Sequence, residues 1–273
     1  MREYWHARGL TWVRNQKRLD MMLAPLGEAA IARLHPNPGE VVLDVGCGTG
    51  TTAIELARLV GSTGRVTGID FSSPMITEAQ QRVVAAGLSN VDFVTADASN
   101  HPFKPHYYDA VFSRMGVMFF TEPVVGFTNL RRAMRAGGRL SFVCWRAADH
   151  NSWTTEPLQA LAEVLGTVDP VMPGVPGTFA LADADHIISI LTTAGLMNID
   201  ITSHKLPLNL GQGTTDEFVS YYLDMLGGAY IPQNVEIRVL GRIKAALAAM
   251  VERKRTAEGI TMGGAVWLVS ARA

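Results

Sequence analysis

Cysteine is scarce in this 273-residue chain, where Cys47 and Cys144 are the only two. Two thiols cannot build the disulfide framework of a small secreted domain, and neither stands at a zinc-ligand spacing from a histidine. Apolar runs of roughly 18 residues, the length of a membrane-spanning helix, are missing, and the segment Met1–His6 has no signal-peptide core. These absences point to a reducing cytoplasm, with no membrane partner. An excess of one charge sign is lacking too: 24 Lys and Arg face 25 Asp and Glu, for a net charge of −1. No nucleic-acid partner is therefore expected. The cluster Arg131, Arg132, Arg135 and Arg139 reads as a solvated helix face and turn. What the chain does have is apolar residues, 48% of the total, enough for a large buried sheet in a single domain.

The most informative stretch is Val41-Val-Leu-Asp-Val-Gly-Cys-Gly-Thr-Gly50. Four apolar residues around one acid read as a buried parallel strand, and the glycines after it let the backbone turn sharply against a ligand. Ala53, Ile54, Ala57 and Val60 then share one helical face. A second strand, Arg65-Val-Thr-Gly-Ile-Asp70, ends in a carboxylate about twenty residues beyond the glycines, where a nucleoside-binding βαβ unit places its ribose-binding acid. Dinucleotide folds want G-x-G-x-x-G. Here Gly46, Gly48 and Gly50 are more closely spaced, and Thr51 takes the position of the third dinucleotide glycine.

This compact G-x-G-x-G after Leu-Asp-Val resembles the first motif of class I S-adenosylmethionine (SAM)-dependent methyltransferases. Later segments match that family in order and spacing. Val91-Asp-Phe-Val-Thr-Ala-Asp97 reads as a third strand ending in an acid, and Tyr108-Asp-Ala-Val-Phe-Ser-Arg114 as a fourth. Leu130 to Leu140 resembles the helix-to-fifth-strand turn, with Gly137 ending the helix, and Arg139–Trp145 reads as the fifth strand. The resemblance implies an α/β, Rossmann-like class I methyltransferase fold: a seven-stranded, mostly parallel sheet with helices on both faces and a helical cap. Residues 1–273 then form one domain. Residues 1–38 would be an N-terminal helical lid and 39–146 the cofactor-binding core, with 147–182 and 207–262 as substrate-cap insertions.

For the cofactor SAM, the resemblance implies that Asp44 orients the glycine loop and, through water, the amino group. Gly46, Cys47, Gly48, Thr49 and Gly50 would let backbone approach the ligand. Asp70 would take the ribose hydroxyls, Phe71 and Met75 would border the adenine, and Asp97 with Ala98 would read its edge. Ser113, Arg114 and Met115 would hold the methionine end, chiefly through backbone atoms.

Beyond Trp145 the alternation of strand and helix breaks. An amphipathic helix is read over residues 4–34, a helix over 151–166, a proline- and glycine-rich loop over 168–177, and a helix over 183–194. A strand over 198–206, helices near 214–226 and 233–257, and a last strand over 265–270 complete the pattern. Met115, Met118, Phe119, Phe120, Trp145, Trp153, Phe179 and Met225 fall in segments expected to line or cover a pocket, and Asn151 or Arg146 is placed to orient a polar substrate. Such walls favour a small, largely apolar or aromatic methyl acceptor at O or C. The substrate set is thus Met118, Trp145, Asn151 and Trp153.

General-base candidates are Tyr4, His6, His101, His106, Asp149 and His150. His150 is the best single histidine, since it lies just beyond the fifth strand with Trp153 close by, but positioning alone can carry much of a methyl transfer. The Asn/Asp-Pro-Pro-aromatic signature of amino-group methylation is missing after the fourth strand, and no metal set is legible. Two other classes stay open. One is a methyltransferase-like protein that uses SAM for a cyclisation or merely binds it. The other is an NAD-type Rossmann oxidoreductase, which Thr51 and the missing Tyr-x-x-x-Lys signature disfavour. The expected assembly is a monomer or a homodimer.

Overall fold

A computed structural model describes residues 2–166, 168, 176–227, 229–232 and 234–273. Most of the proline- and glycine-rich stretch 168–177 lies outside the described residues, and so do the side chains of Tyr4 and His6.

Strand β1 (Val41–Val45) is buried along nearly its whole length, as an apolar run inside a parallel sheet must be. It pairs in parallel with β2 (Arg65–Asp70) on one side and with β4 (Tyr108–Arg114) on the other. Strand β3 (Val91–Thr95) extends the sheet beyond β2, and β5 (Met134–Trp145) lies beside β4. Antiparallel β8 (Gly259–Arg272) and then β6 (Met197–Asn209) complete the order β3-β2-β1-β4-β5-β8-β6, and the two-residue β7 (Arg255–Thr256) pairs off this path with β8. Seven strands thus form the continuous sheet, with one antiparallel member, and β7 is an eighth that the sequence pattern does not announce. Chain direction away from β1 reverses between β2 and β4, which opens a crevice at the carboxyl ends of those strands.

Helices α3 (Thr51–Val60), α4 (Ser73–Ala85) and α5 (Pro123–Ala133) follow β1, β2 and β4. Helix α7 (Ala184–Thr193) starts where the Asp183 carboxylate accepts the His186 N–H, and it packs against α5 and β6. Phe112, Phe127, Phe142, Leu26 and Leu34 are fully buried, each contributing about 1.5–3 kcal/mol of burial free energy.

The N-terminal pattern resolves into two helices, α1 (Arg2–Arg14) and α2 (Gln16–Leu34), rather than one. Asn15 marks the break, at φ −99° and ψ 8°: its backbone N–H still reaches Thr11 O, and its side-chain amide donates to Thr11 O and to the distant Asp224 carboxylate. Helix α2 packs on β4 and β5, while α1 crosses to α4. The remaining helices, α6 (Ser152–Leu165), α8 (Thr215–Leu226) and α9 (Ile237–Arg253), pack on one another beside the sheet. Two boundaries differ from the sequence reading. Gly137 does not end a helix: α5 stops at Ala133, and Gly137 donates to Ala273 O inside the turn that β5 carries at its start. β6 and β8 are longer than expected because they pair with each other as far as Asn209 and Thr261, so both ends of the anticipated 207–262 cap belong to the sheet. No helix among the described residues is long and apolar enough to cross a membrane.

Candidate functional site

The crevice above β1, β2 and β4 opens into one cavity walled by the glycine loop, the ends of β2 and β4, α1, α2, and residues from α6 and α8. The glycine loop is shaped by contacts made before any ligand arrives. Gly46, at φ +70°, faces Gly116 so closely that a Cβ there would stand 2.5 Å from the Gly116 Cα. Ser113 holds that approach, its hydroxyl donating to Val45 O at 2.8 Å and accepting from the Gly116 and Val117 N–H groups. Met115 follows at φ 63°, a left-handed conformation rare for a side chain of its size, which turns it into the cavity wall.

Asp70 sits in the cavity at the end of β2, its two oxygens accepting the Gly48 N–H at 3.0 Å and the Ser72 N–H at 2.9 Å. The Phe71 N–H bears on the same carboxylate, which with about four lone-pair sites still has capacity for a ligand hydroxyl. Burial raises its pKa, against the lowering effect of those backbone donors. Phe71, Met75, Ala96 and Ala98 line the adjoining wall. Asp97 itself is turned to Ser99, whose N–H and hydroxyl it accepts at 2.8 and 2.6 Å, so that segment faces the cavity through its alanines.

Asp44 lies beneath the loop, fully buried. One oxygen accepts the Thr52 hydroxyl at 2.7 Å, and Oδ1 has no hydrogen-bond partner. Burial pushes this carboxyl up to about 7, partly opposed by the Thr52 bond and by Arg114. The stability consequence has a definite sign. Below about pH 4 the group is neutral whether the chain is folded or not. Between there and about 7 the unfolded chain loses the proton first, so stability falls as pH rises and then levels off. Asp44→Asn should flatten this fall, which denaturant unfolding at pH 5 and pH 8 would read. An equally steep fall in the variant would assign it to Asp70 and Glu55, whose carboxyls burial also raises.

Sequence reasoning missed Asp20. It stands on the polar face of α2, yet it turns inward to accept the Thr51 hydroxyl at 2.6 Å and to pair with Arg82 at 3.0 Å, with Arg114 at 3.7 Å. Arg82 also donates to Thr49 O at 2.8 Å and to Thr51 Oγ1 at 3.0 Å, so α2, α4 and the glycine loop are tied at one point. The only available signal was an acid on an otherwise basic helical stretch.

The wide end of the cavity is aromatic. Trp5 stands edge-on to Trp12 and to Phe119, with ring centroids 5.5 and 4.8 Å apart. Trp145 and Trp153 lie 4.6 Å apart, with Phe179 at 6.5 Å from Trp153. Met115, Met118, Phe120 and Met225 share the lining, as do Tyr221 and Tyr222. Helix α1 is fastened over this end by Arg8, which donates to Met225 O at 2.6 Å. Arg14 and Asn15 also bind the Asp224 carboxylate, each at 2.7 Å.

Several expected residues lie elsewhere. Asn151 is fully buried and wholly engaged: its amide donates to Arg146 O and Ala147 O, and its Oδ1 accepts from Ala265 N–H and the Trp153 indole. It fixes Trp153 rather than facing a ligand. Arg146 leans outward over Trp267 and bonds Ser203. His150 does not line the cavity. Its side chain is 40% exposed on a short turn, 3.8 Å from the exposed Asp149. His101 packs on Phe103, and His106 lies 3.3 Å from Met134 O, both away from the cavity. Among the described residues no group of His, Cys, Asp and Glu could hold a metal.

Residues 42–138 match a family described as a methyltransferase domain. Aklanonic acid methyltransferase DauC of Streptomyces sp. (strain C5) is 34% identical over 118 residues, covering 43% of this chain and 54% of its own length. The 2-phytyl-1,4-naphtoquinone methyltransferase of Nostoc sp. is 31% identical over 129 residues, covering 47% of this chain and 56% of its own. The chain thus spans about half the length of the curated relatives it matches. Among solved structures, the YcgJ protein of Bacillus subtilis superposes with a TM-score of 0.57 over 92% of this chain and 97% of that one. At 17% identity, this is a likeness of fold.

Proposed function

We propose that this chain is a class I SAM-dependent methyltransferase, as the match of residues 42–138 to a methyltransferase domain and the two relatives support, and that it moves a methyl group to O or C of a small, largely apolar or aromatic acceptor. The observation that carries this reading is the continuity of the cavity, which runs from the Asp70 carboxylate and glycine loop to the aromatic chamber around Trp145 and Trp153. Its residues fit an adenosyl sulfonium cofactor. Asp70 keeps acceptor capacity for a ribose hydroxyl, apolar walls at Met75, Ala96 and Ala98 suit a flat ring, and the loop at Gly46 has no room for a side chain. In this reading Phe71 borders the adenine and Met115 the sulfur-bearing end. Related proteins named for aklanonic acid and for a phytyl-substituted naphthoquinone support a small, largely apolar acceptor.

Bound SAM supplies a methyl group on a sulfonium whose positive charge disappears on transfer. The chain's part is to fix the geometry and keep water out. Trp145, Trp153, Phe179 and Met118 hold the acceptor, while α1 covers the chamber. Positioning of this kind is worth up to roughly 7–11 kcal/mol in favourable cases. Since His150 faces solvent, His150→Ala should change turnover by less than about threefold, against the ~10²-fold or greater loss expected of a base. Trp153→Ala or Met118→Ala should cost more, because each opens the chamber. A large His150 effect beside small effects in the two wall variants would reverse the assignment.

Calorimetry with SAM, S-adenosylhomocysteine and NAD tests the cofactor, with micromolar binding expected for the first two; tight binding of NAD alone would overturn the reading. Mass spectrometry of phenols, quinones and polyketides incubated with the protein and SAM should show one acceptor class gaining a single methyl.

A further inference from the structure

The polar tips in the aromatic chamber are of two kinds. The Trp153 indole N–H donates to Asn151 Oδ1 at 3.2 Å, the Tyr222 hydroxyl reaches Met262 Sδ at 3.6 Å, and Arg8 donates to Met225 O. Those three are engaged by the protein itself. Tyr221 and Trp145 are different. Tyr221 meets Tyr222 and the Arg18 guanidinium through its ring, and Trp145 meets Trp153, but no hydrogen bond joins Tyr221 Oη or Trp145 Nε1 to another described residue.

Both residues line the cavity and are more than nine-tenths buried, at 7% and 3% exposed. Neither polar atom is sealed in. Among the described residues, the buried side-chain N and O atoms that lack both a partner and accessible surface are Asp44 Oδ1, Ser72 Oγ and Arg114 Nη1. Tyr221 Oη and Trp145 Nε1 therefore keep surface, and for residues so buried that surface belongs to the cavity.

The chemistry of the two atoms fixes what they can meet. An indole N–H only donates. Burial pushes the Tyr221 phenol up to about 12, against the opposing effect of Arg18, so it keeps its proton through the neutral range and presents a donor too. A desolvated donor without an acceptor carries a penalty, which a ligand oxygen removes and a hydrocarbon does not. The donors come from different walls, Trp145 from the end of β5 and Tyr221 from α8. A ring with oxygens at two positions answers both, whereas a polyol would leave the surrounding Trp, Phe and Met surface unmatched.

We propose that Tyr221 Oη and Trp145 Nε1 donate hydrogen bonds to oxygens of the methyl acceptor, which makes that acceptor a ring system carrying carbonyl or phenolic oxygen at two positions. This rests on the methyltransferase reading and adds two fixed donors to the apolar fit.

Calorimetry on the whole chain saturated with S-adenosylhomocysteine tests it with two probes of one carbon skeleton, 2-methyl-1,4-naphthoquinone and 2-methylnaphthalene. The quinone should bind at least about tenfold more tightly than the hydrocarbon. Tyr221→Phe keeps the ring and removes only the hydroxyl. It should weaken the quinone about 5- to 100-fold while leaving the hydrocarbon and S-adenosylhomocysteine within about twofold. Its melting temperature should not fall, since the hydroxyl has no protein partner to lose. Trp145→Phe removes the other donor together with part of the wall, so it should weaken both probes, the quinone more. Four results would each overturn the proposal: a quinone affinity no higher than the hydrocarbon's, a Tyr221→Phe loss shared by both probes, a marked drop in that variant's melting temperature, or equal weakening of both probes by Trp145→Phe. Failure of the unaltered protein to bind S-adenosylhomocysteine would instead overturn the methyltransferase reading itself.

Discussion

Asp70→Ala should weaken SAM binding by at least about tenfold, and by about 100-fold or more where both ribose hydroxyl bonds are lost, while the chain still folds. Each bond from a ligand hydroxyl to an ionised carboxylate is worth roughly 1.5–3 kcal/mol, so two of them account for that range. The structure adds a second cause. Asp70 also accepts the Gly48 N–H, which makes it the clamp that sets the glycine loop before the ligand arrives. Removing it costs preorganisation as well as contact. Asp70→Asn separates the two, because an amide keeps one acceptor oxygen and should fall between wild type and alanine. Calorimetry with S-adenosylhomocysteine reads the affinity and thermal unfolding reads the fold. Unchanged affinity in a folded Asp70→Ala protein would mean that the ribose is held elsewhere.

Gly46→Ala should abolish measurable cofactor binding and lower the melting temperature. The new Cβ would meet Gly116 Cα at 2.5 Å, and both partners are backbone, so neither can swing away as a side-chain tip could. The residue also sits at φ +70°, where an L side chain adds roughly 1–2 kcal/mol of strain. Displacing the loop from Gly116 would move the backbone that Ser113 pins through Val45 O. Gly48→Ala is the matched control. Its φ of +53° imposes similar local strain, but the nearest atom is Met75 Sδ at 3.6 Å, an ordinary contact with a flexible chain. That variant should retain binding with a modest loss. Equal effects in the two proteins would show that backbone strain, rather than the approach of the two loops, governs the site.

Strand β1, the glycine turn, α3 and Asp70 were legible in the sequence because their signals are local. An apolar run buried on both faces, a helical period starting at once, and glycines that alone tolerate left-handed φ all act within a few residues. The same holds for β4, read over the residues it occupies, and for the aromatic and methionine residues that line the chamber. Their chemistry assigns them to an apolar surface, and chain order places that surface near the ends of β4 and β5.

Tertiary contacts alone decided the rest. Asp20 reads as one more polar residue on a surface helix until α4 and the loop bring Arg82 and Thr51 to it. Asn15 stands at the break between the N-terminal helices, where Asp224, more than two hundred residues later, offers its side-chain amide a carboxylate. Asn151 and His150 are neighbours in sequence, yet one is buried among backbone carbonyls and the other faces solvent, because a short turn sends them in different directions. The unpartnered Nη1 of Arg114 is the clearest case. A sequence shows which donors a chain has, but only the packing of α2 against β4 shows which of them is left without an acceptor.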